Sequence, residues 1–238
     1  MSASHPGTAP GTTHDLRRGD SLLSARVKET GRSLLAPVVR LAVRLHLTAN
    51  TVTVIGFLIV VLASVLVANG QLLWGAAILT AGSLLDAVDG ALARATGGTT
   101  PFGGFLDSTL DRAAEALLFG GVAAYYLLSH PDPALPVMLA VLALVGSFLV
   151  SYTRARAEGL GLSAEVGLAP RVERLVLVIG GIGLAGLGLD IGLIGALAVV
   201  AGLSAATTAQ RIWHVQRLSA GTPRPAGEDT TRENGTRG

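Results

Sequence analysis

Four carboxylates stand out by type and spacing. Asp86 and Asp89 lie three residues apart, and Asp107 and Asp111 lie four apart. Residues three and four apart share one face of a helix. Both pairs fall in or beside apolar segments, where an ionised group costs on the order of 2.5–3.5 kcal/mol on insertion scales, so their charge needs compensation. They flank a short segment, Ala95 to Gly104, which would bring them together at one end of two antiparallel helices. Hard divalent cations suit such an all-oxygen set, and two Mg²⁺ or Mn²⁺ ions would neutralise its four charges. The linking segment carries Gly97, Gly98, Gly103 and Gly104, Gly90 follows Asp89, and Arg94 adds a cation beside the acids. Glycines let a backbone approach a phosphate closely. Taken alone, these glycines would serve a tight turn and helix packing. Beside four acids and an arginine they point to metal-assisted chemistry on a phosphate.

The elements that must position these groups are membrane helices. The chain has 238 residues, of which 50% are hydrophobic and only 14% charged. Soluble domains carry about 25% charged residues, which argues against a conventional soluble enzyme, and the hydrophobicity excludes disorder over most of the chain. The lack of Cys removes disulfides and thiolate chemistry. Aromatics at 4% and a net charge of +2 give no basis for a nucleic-acid partner. Apolar runs long enough for membrane helices occur at roughly 52–69, 71–94, 103–129, 134–157, 172–189 and 191–213. The boundary between the last two rests on a Gly-Leu-Asp-Ile turn near 188–191.

The predicted fold is all-α: a polytopic membrane protein with six transmembrane helices in a domain spanning 48–217. Residues 14–47 interleave Leu22, Leu23, Val27 and Leu34 with Arg17, Arg18, Arg26 and Arg32, a pattern for amphipathic helices lying on the membrane surface. Residues 1–13 and 218–238 are small and polar, and are expected to be disordered. Charge placement fits six spans. All 18 Lys and Arg residues fall before span 1, around the 2–3 and 4–5 loops, or from Arg211 onward. The positive-inside rule then puts both termini and the acids on the cytoplasmic side of the cell membrane.

The segment Asp86-Ala-Val-Asp89-Gly90-Ala-Leu-Ala93-Arg94, eight residues, Gly103, three residues, Asp107, three residues, Asp111 resembles the D-x-x-D-G-x-x-A-R-x8-G-x3-D-x3-D signature of the CDP-alcohol phosphatidyltransferases at every defined position. The resemblance implies six transmembrane helices, a homodimer and a cytoplasm-facing divalent-metal site. It also implies a CDP-lipid donor such as CDP-diacylglycerol, whose CMP is displaced by an acceptor hydroxyl. It assigns Asp111 as the general base as well as a ligand. Thr48-Ala49-Asn50-Thr51-Val52-Thr53 is similar to the family's T-P-N-x-x-T segment near the donor nucleotide, with Ala49 in place of Pro, and Thr100 corresponds to a loop residue near the donor phosphates. Donor binding is thus expected at Asn50, Thr51, Val52, Thr53, Gly90, Arg94 and Thr100.

Three further segments, Ser151 to Glu158, Glu173-Arg174 and Gln210-Arg211, resemble the actinobacterial phosphatidylinositol phosphate synthase branch. There the matching positions hold the phosphate of inositol phosphate, which implies acceptor binding by Arg154, Arg174 and Arg211 with Ser151 alongside. From the residues alone, three arginines at the ends of spans 4, 5 and 6 fit a doubly charged phosphate as well as anchoring to anionic lipid. Two other readings stay open. The same chemistry would serve another phosphorylated alcohol such as glycerol 3-phosphate, and intramembrane acids also line the path of a divalent-cation transporter. Glu115, one turn beyond Asp111, is left outside the metal set, as an orienting group or a partner of Arg112. His5, His14, His46, His130 and His214 form no ligand cluster.

Overall fold

The computed structural model describes residue 40 and residues 43–96, 100–164, 166–168 and 170–220, without the side chains of 86, 87, 89, 90 and 93–96. The expected N-terminal segment 1–13, nearly all of the amphipathic stretch 14–47, and the tail from 221 lie outside the described residues. The described chain is all-helical. Its helices are α1 (Ala49–Ala68), α2 (Leu72–Thr96), α3 (Pro101–Ser129), α4 (Ala134–Glu158), α5 (Arg171–Gly186) and α6 (Asp190–Ala220). Each matches one apolar run within a few residues. The last continues to Ala220, where a cation–π contact of Arg217 over Trp213 at 3.7 Å supports its final turns. By length and composition α1, α4 and α6 can cross a membrane, with mean hydropathies of 2.7, 2.3 and 1.9, while α2 offers a shorter apolar stretch, Leu72–Leu85. At 16 residues α5 is short, because Gly188 at φ +88° makes the turn that the sequence placed near 188–191.

Local chemistry sets the helix starts. Thr48 caps α1, its hydroxyl accepting from the Thr51 amide at 3.2 Å. Thr100 caps α3 in the same way, accepting from the Gly103 amide at 3.0 Å, with Pro101 in the first turn. Both devices satisfy amides that have no partner within the helix.

The principal packed pairs are α1 with α2 and α3, α4 with α3 and α6, and α5 with α2 and α6. They close a ring in the order α2–α1–α3–α4–α6–α5. Short connections alternate the helix directions, so one end collects the starts of α1, α3 and α5 and the ends of α2, α4 and α6. Tyr126, Leu79, Ile182, Leu193 and Leu197 fill the core. Leu58, Leu62, Trp74, Leu128 and Met138 face outward, as lipid-facing positions do. At the end far from the acids, Asp190 accepts from the Tyr125 hydroxyl at 3.3 Å and pairs with His130 Nε2 at 3.1 Å, tying α6 to the end of α3.

Gly121 marks a close approach of α1 and α3. A Cβ there would stand 2.6 Å from the Ser64 carbonyl oxygen, whereas one at Gly120 would meet nothing within 4 Å. Overpacking of this kind costs about 1–3 kcal/mol. Gly121→Leu is therefore expected to lower the melting temperature in detergent by several degrees, and Gly120→Leu to leave it nearly unchanged. Equal melting temperatures would contradict this packing.

Candidate active site

At the end where the two acidic pairs lie, the ring opens into a cavity of about 970 Å³ lined by α3, α4, α5, α6 and the 159–170 connection. Asp107 and Asp111, one turn apart on α3, form part of its wall. Asp86 and Asp89 lie on α2, seven to ten residues before its last residue Thr96, and Asp107 lies six after the first residue of α3. At about 1.5 Å of rise per residue, the two pairs stand at similar depth on helices joined by a short link. The side chains of Asp86, Asp89, Gly90 and Arg94 lie outside the described residues. Asp107 and Asp111 supply hard carboxylate oxygens one turn apart, a donor set that fits Mg²⁺ or Mn²⁺.

The segments expected around the donor meet at the ring's mouth. A Cβ on Gly103 would lie 3.0 Å from Asn50 Oδ1 and 3.1 Å from Thr100 Oγ1. The signature's glycine therefore lets the starts of α1 and α3 close on each other, and Asn50 and Thr100 come together there. Val52 is buried against Val88 and Leu92 of α2, so its side chain packs these helices. The Thr51 hydroxyl lies 2.9 Å from that of Thr48. The Thr53 hydroxyl donates to the Ala49 carbonyl at 3.0 Å. Val52 and Thr53 also line a smaller hollow that shares Asp111 and Arg171 with the main cavity.

The four residues expected at the acceptor phosphate all line the same cavity as the α3 acids. Arg154 pairs with Glu158, one turn on, at 2.8 Å. Arg211 donates through Nε to the Val166 carbonyl at 2.9 Å and through Nη1 to the Val150 carbonyl, which fastens the 159–170 connection to α4 and α6. Ser151 Oγ accepts from Arg112 and donates to the Ser147 carbonyl at 3.1 Å. Arg174 is only 3% exposed, and its Nη2 lies 3.5 Å from Glu115.

Two participants lie outside the site residues expected from the sequence, where Arg112 was named only as a partner of Glu115. Arg171 meets Asp111 Oδ1 at 2.6 Å and stands 3.8 Å from Glu115. Arg112 pairs with Glu115 at 2.8 Å and lies 3.7 Å from Asp111. The first had a signal, since Arg171 precedes Arg174 by three residues and shares its helix face. Glu115 does pair with Arg112, as its spacing allowed, and it also reaches across to α5. The result is an alternating cluster of acids on α3 and guanidiniums on α3 and α5, two helices that are not neighbours in the ring.

Such a cluster can hold a divalent cation on one side and a phosphate on the other. The sequence profile of the CDP-alcohol phosphatidyltransferases matches residues 46–212. A phosphatidylinositol phosphate synthase of Streptomyces avermitilis is 36% identical over 92% of this chain and 91% of its own length. A crystal structure of the Mycobacterium tuberculosis phosphatidylinositol phosphate synthase with CDP-DAG bound superimposes with a TM-score of 0.70 at 34% identity, covering 77% of this chain and 94% of that one. A second, in complex with manganese and citrate, gives 0.71 at 33% identity over 76% and 88%. The acids, the ring of apolar helices and these likenesses together make the chain a membrane enzyme that belongs to the CDP-alcohol phosphatidyltransferase family.

Proposed function

We propose that this enzyme transfers the phosphatidyl group of CDP-diacylglycerol to the hydroxyl of an inositol phosphate, giving phosphatidylinositol phosphate and CMP. The observation that carries the reading is the single cavity in which Asp107 and Asp111 face Ser151, Arg154, Arg174 and Arg211. The names of the relatives and the donor-bound neighbour support it. The acceptor oxygen bonds to the phosphorus that bears the diacylglycerol, the bond from that phosphorus to the CMP oxygen breaks, and the hydroxyl proton passes to Asp111.

Asp86, Asp89, Asp107 and Asp111 would hold two divalent ions, Mg²⁺ or Mn²⁺. Bound there, the ions would offset charge on the donor diphosphate and ease departure of CMP. Asn50, Thr51, Val52, Thr53, Gly90, Arg94 and Thr100 would receive the donor at the ring's mouth. Arg154, Arg174 and Arg211 would take the acceptor phosphate, and the planar fork of Arg suits its oxygens. In the same reading all six helices cross the cell membrane, both ends and the site face the cytoplasm, the amphipathic 14–47 segment lies on that surface, and the enzyme is a homodimer. The placement of all 18 basic residues supports the orientation. Glycerol 3-phosphate is the alternative acceptor. Divalent-cation transport is disfavoured by the arginine-lined cavity beside the acids.

Two outcomes test the two halves of the site. Asp89→Asn removes one ligand charge, so transfer is expected to vanish, as it should on chelation in the wild type, with recovery on adding Mg²⁺ or Mn²⁺. Near-normal turnover of the variant at saturating Mg²⁺ would overturn the metal site. Arg174→Gln removes a charge-assisted hydrogen bond worth roughly 1.5–3 kcal/mol. About 1.4 kcal/mol is tenfold in affinity, so the acceptor KM is expected to rise tenfold or more while CDP-diacylglycerol binding stays nearly constant. Equal loss of donor and acceptor binding would contradict this division.

A further inference from the structure

Resting on the reading that the acceptor carries a phosphate, we propose that Glu115 is a positioning residue that sets the arginines for that phosphate from behind the cavity wall. Glu115 is 9% exposed and does not line the large cavity, yet all three of its guanidinium partners do. Its Oε2 holds Arg112 Nη1 at 2.8 Å. Its Oε1 lies 3.5 Å from Arg174 Nη2 and 3.8 Å from Arg171 Nε. One carboxylate on α3 therefore gathers two guanidiniums from α5 and one from its own helix. Through Arg112 the arrangement extends to Ser151 on α4. Glu115 thus touches no substrate in this arrangement and acts through the groups that do.

The need for it is electrostatic. Arginine keeps its charge even when buried, so a guanidinium as buried as Arg174 is costly without a nearby counter-charge. Several cations facing one cavity repel each other until an anion enters. Asp111 also reaches this group, 2.6 Å from Arg171. With Glu115 neutral, the α5 arginines lose the anchor that shares them with Asp111, and their placement for the phosphate is lost. Among the described residues, the ion pairs of Glu115 go to Arg112, Arg171 and Arg174 and to none of the donor residues at the ring's mouth.

The test is steady-state kinetics of Glu115→Gln, purified in detergent, with inositol 1-phosphate and CDP-diacylglycerol each varied. The variant keeps the shape and drops the charge. The acceptor KM is expected to rise about tenfold or more, with the donor KM within twofold of wild type. Glu115→Asp keeps the charge on a shorter stem and is expected to fall between the two. An acceptor KM within twofold of wild type, or equal rises in both KM values, would overturn the proposal. A Glu115→Gln protein that fails to fold shifts the test to Glu115→Asp, whose acceptor KM must still rise selectively. The wild-type arm separates this inference from the function beneath it. A wild type that prefers an unphosphorylated acceptor defeats both, whereas a wild type that uses inositol phosphate beside an unaltered Glu115→Gln defeats only the role of Glu115.

Discussion

The structure depends on placing charge inside an apolar ring. Arg174 is almost fully buried, and Glu115 on α3 answers its guanidinium there. Removing one partner of a buried pair typically costs about 3–5 kcal/mol, since the other charge is left uncompensated. The pair joins helices that are not adjacent in the packing ring, so it fixes the distance across the ring at the end where the cavity opens. Arg171 extends the pairing to Asp111, and Arg112 extends it to Ser151. Below this layer the interior turns apolar, with Leu118, Phe119 and Val178 around a small hollow beneath Glu115 and Arg174. The charged layer is both the floor of the cavity and the lid of the core.

Everything else serves to hold that layer in register. The caps at Thr48 and Thr100 start α1 and α3 at fixed positions, and Gly103 lets those starts close to contact distance. Gly121 sets the approach of α1 and α3 further down. At the opposite end, the Tyr125, His130 and Asp190 contacts close α3 on α6. Arg211 uses backbone carbonyls, rather than an acid, to fix the 159–170 connection. That connection forms one wall of the cavity, so its path bears directly on what the cavity accepts.

Much of this was legible from the residues. Apolar runs gave six helix positions, because continuous hydrophobicity and Gly or Pro breaks are local signals. The acids and arginines announced themselves by their cost in an apolar setting. What stayed hidden depends on the order of helices in space. Nothing in the local pattern says that α3 faces α5 across the ring, so the reach of Glu115 to Arg174 and Arg171 could not be read, although its spacing from Arg112 could. Arg171 was counted as a loop charge, yet it lies on the first turn of α5 beside Asp111. Val52 shows the converse, a residue matched by motif position whose side chain turns out to be core. The shortness of α5 follows from a left-handed glycine at 188, where the apolar pattern runs on almost unbroken.

We infer that one cavity joins an acidic end that handles the donor diphosphate to an arginine site that takes a phosphorylated alcohol. It is tested most directly by competition in a single reaction. Wild-type enzyme in vesicles with CDP-diacylglycerol and Mg²⁺ is offered equal concentrations of inositol 1-phosphate, free inositol and glycerol 3-phosphate, and the lipid products are separated by mass. Phosphatidylinositol phosphate is expected to dominate, with almost no product from free inositol. A dominant product from free inositol would contradict this inference, since the buried arginines would then have no phosphate to hold.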